Sequence, residues 1–136
     1  MIFTETERRY LVTQVLSRLA TIGPTGAPHN HPVTYRLNED TETIDIGGPH
    51  LSDTRKYRNI QADPRVSLVV DDVAAQPVGP GGQRGRGLEI RSVVETLRVE
   101  PPLMEGFSND LLRLHPRRII AWNLDVPGNN NRDVAP

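Results

Sequence analysis

The chain predicts a mainly β fold, a small closed barrel with short flanking helices, and three observations point to it. The apolar content is 36% but includes only one Trp, three Tyr and two Phe, so the core has to be built from Val, Leu and Ile, residues that suit pleated, half-buried strands. Short alternating runs are punctuated by turn signals at Gly23-Pro24-Thr25-Gly26, Asn38-Glu39-Asp40, Asp71-Asp72 and Pro101-Pro102, as in all-β domains. Only two segments carry helix-start chemistry. Closure of the strands would remove the exposed edges that so many short strands create. At 136 residues the chain is one domain, expected over 1–126, with a tail at 127–136.

The elements follow in order. Thr4 and Glu7 have the spacing of a capping box, so a helix is expected to about Val15 with Tyr10, Leu11 and Val15 as its buried stripe. LSRLATI reads as a strand running into the Gly-Pro turn. His29 to Leu37 returns as a second strand, with His29, His31, Val33, Tyr35 and Leu37 on one face. Thr43 to Gly47 is a third, and the three are expected to form a meander. Val66 to Val70 suits a central strand ending at Asp71-Asp72. Residues 76–87 hold five glycines and two prolines and are expected to be a mobile loop. Leu88 to Val99 forms a long strand, residues 103–110 are ambiguous, and two last strands flank a turn at Pro116. The final PGNNNRDVAP has no core-forming content, so disorder is expected unless a partner surface holds it.

Composition also excludes functions. Net charge is −1, from 16 basic and 17 acidic residues, which argues against a general nucleic-acid binder. Without cysteine there are no disulfides, thiolate metal sites or thiol nucleophiles. The charged start MIFTETERRY is no signal segment, and no apolar run nears the roughly 20 residues of a membrane span. A soluble, cytoplasmic protein is expected. No serine sits in a G-x-S-x-G elbow, and GPGGQRGRG lacks the Lys-Ser/Thr of a P-loop. His29, His31 and His50 lack the further ligands of a metal site, so packing or ligand contact is the better reading and no metal is expected. Arg117-Arg118 reads as a solvated hairpin tip.

One stretch remains, GGPHLSDTRKYRNIQADPRV, residues 47–66. Ser52, Asp53 and Thr54 are capping residues, and Arg55, Lys56 and Arg58 put cations just behind the cap. Free N–H groups, hydroxyls and a lysine at a helix start suit a phosphate. The plain alternative is a solvated surface helix with ordinary caps. A strand face followed by such a helix start can hold a flat cofactor with a phosphate at one end. The cofactor would then carry redox chemistry that needs no protein nucleophile.

Four segments sharpen this: RLATIGPTGAPHNHPVTY (18–35), SDTRKYRNIQADPRVSLVV (52–70), GLEIRSVVE (87–95) and RLHPRRIIAW (113–122). They resemble the split β-barrel flavin and deazaflavin oxidoreductases, the superfamily that includes pyridoxamine 5′-phosphate oxidase. The resemblance implies a six-stranded split barrel and a homodimer with FMN or coenzyme F420 at its interface. It places His31, Pro32, Val33 and Thr34 against the ring system, and Ser52, Thr54 and Lys56 at the phosphate, with Arg55 and Arg58 adjacent. Gly48 and Trp122 complete the implied cofactor site, Trp122 and the Gly-rich loop bordering the substrate side. The chain lacks the longer C-terminal substrate-binding segment of true pyridoxamine phosphate oxidases, so it looks more like the F420-dependent branch. Hydride transfer between F420 and a small unsaturated organic substrate is the leading expectation. An FMN-dependent oxidase or reductase, or a non-catalytic carrier of such a cofactor, are the alternatives. Arg84 and Arg86 of the loop could meet the anionic F420 tail.

Overall fold

The computed structural model describes residues 1–136, folded as one antiparallel sheet of eight strands with two α-helices. The elements are α1 (Glu5–Thr13), β1 (Ser17–Ile22), β2 (Pro28–Val33), β3 (Tyr35–Asn38), β4 (Thr43–Ile46), α2 (Arg55–Ala62), β5 (Arg65–Val73), β6 (Gly85–Arg98), β7 (Asp110–Trp122) and β8 (Asn129–Asp133). Strand order is β2-β1-β5-β6-β7-β4-β3, with β8 added beside β7. The two ends of this path, β2 and β3, are separated in the chain by Thr34 alone, so the sheet curls back towards its own beginning. The mainly β expectation holds, with eight strands in place of six.

The extra strands have local causes. The run from His29 to Leu37 is two strands: β2 pairs with β1 and β3 with β4, so the expected meander does not form. Pro28 and Pro32 both lie in β2 and lack the N–H a central strand needs, which confines β2 to an edge. The two strands expected around Pro116 are instead one, β7, with a register shift opposite Arg91/Ser92. There Ser92 pairs with Pro116 and Arg91 with Arg118, leaving Arg117 as the extra residue of a bulge. A bulge is where a proline fits a paired strand, and Arg117-Arg118 is therefore no hairpin tip.

The tail is ordered as β8, paired with β7 from Arg118↔Asp133 to Trp122↔Asn129. The surface that holds it belongs to this chain. Arg132 Nη1 donates to Glu7 Oε2 at 2.9 Å, its Nη2 donates to Glu7 Oε1, and Nη2 also reaches the Ile2 carbonyl at 2.8 Å. Glu7 is fully buried, so the charge it brings inside is compensated by Arg132. Glu7 also closes the capping box of α1: its side chain accepts from Thr4 N, and its N–H donates to Thr4 Oγ1.

Helix α1 buries Tyr10 and Leu11 but ends before Val15, which is 79% exposed and no part of its stripe. Tyr35 fastens α1 to β3 through its hydroxyl, which donates to Leu11 O at 2.7 Å. Strand β5 continues past Asp71-Asp72 to Val73, because Asp72 is bonded across the ladder to Arg86 (2.8 and 3.1 Å) and to the Tyr10 hydroxyl (2.7 Å). The loop expected to be mobile is a structured hairpin. Val78 and Gly79 donate to Gln83 O, Ala74 donates to Arg84 O, and its last residues already belong to β6. Inward residues of alternate strand positions, such as Leu19, Leu68, Ile90 and Leu114, join Phe3, Leu11, Leu51 and Ile60 in a single core.

Candidate functional site

Helix α2 starts where the chain leaves β4, and its approach is anchored from afar. Ser108 donates to Gly48 O through both its N–H (3.0 Å) and its hydroxyl (3.1 Å), while its Oγ accepts from Leu51 N at 3.2 Å. A single 3-10 turn, Leu51–Asp53, leads into Thr54, the N-cap. The Thr54 hydroxyl accepts from Tyr57 N at 3.3 Å and donates to Leu51 O at 2.6 Å, so its hydrogen is already committed within the turn. Inward-facing Asn59 and Ile60 seat the helix on the sheet, and Asp63 is extended because Pro64 follows it.

Between the β1–β2 hairpin and the first turns of α2 lies a cleft of about 400 Å³. Its walls are Leu19 and Thr21 of β1, His29, Asn30 and His31 of β2, and Thr54, Arg55, Lys56 and Asn59 at the start of α2. No carboxylate lines it. Nine arginine–carboxylate ion pairs and a His115–Glu95 contact tie the molecule together, yet neither Arg55 nor Lys56 takes part in any. Burial pushes the Lys56 ammonium below its ordinary pKa, the expected response of a cation with no counter-charge. Two uncompensated cations in a concave site without acids suit an anionic group, phosphate in particular, and that donor set fits the phosphate end of FMN or F420.

Of the residues singled out from the sequence, His31, Thr54, Arg55 and Lys56 come together here. Thr54 serves as cap, with its hydroxyl spent locally. Ser52 stands exposed on the preceding turn, outside the cleft. Arg58 turns away and donates to Asp53 O at 3.1 Å. Pro32, Val33 and Thr34 continue the strand beyond the cleft, Thr34 at the β2–β3 junction. Gly48 is occupied by Ser108. Trp122 lies over Gly87, where a Cβ would come within 2.8 Å of its ring, and does not line the cleft. Arg86 is committed to Asp72 and stacks 5.5 Å from the Tyr10 ring centroid, leaving Arg84 as the exposed arginine of that loop.

Sequence reasoning missed Thr21 and Asn59, both buried to within 3%, and Ser108. Thr21 shares the inward face of β1 with Ser17 and Leu19. Asn59 lies next to Ile60 on the buried side of α2. Both are polar residues beside an inward-facing apolar one, and neither carries a motif that marks it in the sequence.

A family model described as pyridoxamine 5′-phosphate oxidase matches residues 3–134. The chain belongs to that family. Within the split-barrel family so identified, the chain is 36% identical, over 99% of its length and 95% of the relative's, to the 5a,11a-dehydrotetracycline/5a,11a-dehydrooxytetracycline reductase of Streptomyces rimosus. Among solved structures it is similar to an F420 reductase, with a TM-score of 0.62, 21% identity, and coverage of 86% of this chain and 98% of that one. It is also similar to a heme-binding protein from Mycobacterium smegmatis, with a TM-score of 0.69, 15% identity, and coverage of 98% and 59%. At those identities the structural likeness shows the fold alone.

Proposed function

We propose that this family member is an F420-dependent reductase acting on a carbon–carbon double bond conjugated to a carbonyl in a small organic substrate. One observation carries it: end-to-end likeness to a reductase whose name gives a dehydrotetracycline as substrate, on a chain that presents an uncompensated cationic cleft. Bound in reduced form, the deazaflavin would supply the hydride. Lys56 and Arg55 would hold its phosphate, His31 would border it, and Thr54 would keep the first turn of α2 open towards it. The cleft is equally suited to the phosphate of FMN, so an FMN-dependent oxidase or reductase is the runner-up.

We extend this to a homodimer. The outer sheet face carries a largely apolar groove formed by Ala20, Ile22, Val93 and the stems of Arg65, Arg91 and Arg117. A second copy seated there would bury it and frame a ring system between the chains. No helix of the chain is long and apolar enough to cross a membrane.

Titration with F420 and with FMN, followed by fluorescence, tests the proposal. F420 binding at micromolar concentration, then oxidation of F420H2 by enones or dehydrotetracyclines, is the expected result. Tight binding of FMN alone would move the assignment to the runner-up, and binding without turnover on any substrate would favour a carrier. Failure of both cofactors to bind would end the oxidoreductase assignment.

A further inference from the structure

The rear wall of the cleft contains an arrangement that phosphate binding by Lys56 and Arg55 leaves unused. Asn59 is 3% exposed, and its amide nitrogen makes two contacts, 2.9 Å to Thr21 Oγ1 and 2.9 Å to His29 Nδ1. An amide nitrogen can only donate, so His29 Nδ1 accepts and the neutral ring carries its proton on Nε2. The far edge of the ring is fixed as well. A Cβ built on Gly23 would lie 2.5 Å from His29 Nε2 and 2.6 Å from Cε1, so the imidazole occupies space that any larger residue would claim. Gly23 does not adopt a positive φ. Its lack of a side chain therefore serves the ring and not the backbone.

These contacts connect three elements. Thr21 and His29 are cross-strand partners in β1 and β2, and Asn59 belongs to α2. His29 and Asn59 both line the cleft with Lys56 and Arg55. His29 Nε2 has no hydrogen-bond partner within the chain, and the molecule contains no fully buried side-chain nitrogen or oxygen left unbonded, so this nitrogen is not sealed from solvent, and the ring it belongs to lines the cleft.

We propose that Asn59 and Gly23 are positioning residues that present His29 as a fixed, neutral Nε2–H donor to the anionic group the cleft takes. This rests on the cleft being an anion site. Its chemistry differs from that of Lys56 and Arg55. A neutral donor adds direction to a site whose other contacts are charges on flexible stems, and the Asn59 amide selects it by holding Nδ1 as an acceptor.

Nitrogen-15 NMR of the histidine rings tests this directly, with inorganic phosphate and FMN as probes. In the wild-type chain His29 should show a bare Nδ1 and a protonated Nε2, with the Nε2 signal moving on phosphate addition. Gly23→Ala should displace the ring, and Asn59→Leu should release its tautomer. Each should weaken FMN binding about three- to tenfold, a part of the worth of one hydrogen bond to a charged group, since the ring is displaced and not removed. Neither should weaken it further in a His29→Phe background, which separates a role through His29 from general loosening. A proton on Nδ1 in the wild type would overturn the proposal, as would undiminished affinity in a Gly23→Ala protein whose ring has moved. If neither FMN nor F420 binds but His29 still responds to phosphate, the cofactor assignment fails and this inference stands. A His29 spectrum indifferent to phosphate and cofactor alike overturns it.

Discussion

Lys56 is the residue on which the candidate site depends most. It is half-buried, faces a cleft without carboxylates, and has no ion-pair partner. Substitution Lys56→Ala is expected to weaken binding of the phosphate-bearing cofactor by about 1.5–3 kcal/mol, the range for a hydrogen bond to a charged group. Isothermal titration checks this, and an unchanged dissociation constant would remove Lys56 from the site. A pH dependence follows with a definite sign. Burial holds the free protein's Lys56 below its ordinary value, and a bound anion would draw that value back up. Affinity should therefore be complete below the free-cleft value and decline as pH rises through it, measurable as a dissociation constant that weakens on the alkaline side before the ordinary lysine range is reached. In the Lys56→Ala protein that decline should vanish. Arg55 and Lys56 were legible in the sequence because basic residues behind a capping cluster have one evident use. Asn59 and Ser108 were not, since their partners His29, Thr21, Gly48 and Leu51 lie 30 to 60 residues away.

At the level of elements, the C-terminal strand shows how a segment without apolar content becomes ordered. NNNRD contributes backbone pairing with β7 and one arginine that neutralises a fully buried carboxylate. Removing one partner of a buried pair costs about 3–5 kcal/mol. Because Arg132 retains 27% side-chain exposure, Arg132→Met is placed at the lower end, about 3 kcal/mol. Urea unfolding gives the magnitude, and hydrogen exchange should show the amides of β8 losing protection together with the first turn of α1. The sequence offered the capping box itself but no hint that Glu7 serves two ends of the chain at once. The same blindness split β2 from β3 and merged the strands around Pro116. A proline restricts one residue wherever it falls, but whether the outcome is an edge or a bulge depends on which strand lies opposite.

At the scale of the whole molecule, charge pairing sets the response to acid. Hydrogen bonds from Arg86 hold the Asp72 carboxyl below the usual range, and those from Arg91 do the same for Glu89. Depressed carboxylates contribute stability that is complete above their unfolded values and is lost as pH falls through the folded ones. The urea midpoint should therefore stay level down to about pH 5 and fall below about pH 4, with a shallower fall in an Asp72→Asn variant. Assembly is the second property at this scale. If two chains frame the site, specific activity should drop on dilution below the dimer dissociation constant, and analytical ultracentrifugation at the same concentrations should show dimers giving way to monomers. Activity independent of concentration in a monodisperse monomer would refute the shared site.

By itself the sequence determined the class of structure and the chemistry of its most charged corner. Alternating aliphatic runs, turn residues and two capping signals specify strands and helices within a few residues, because those preferences act along the local chain. Only the tertiary structure decided which strands meet: that β2 and β3 end opposite sides of one path, and that a polar tail closes over α1. It also decided that the cleft is walled by a hairpin and a helix start separated by more than twenty residues. Those outcomes depend on pairing between distant segments and on the burial of a few polar groups, and neither leaves a periodic trace in the chain.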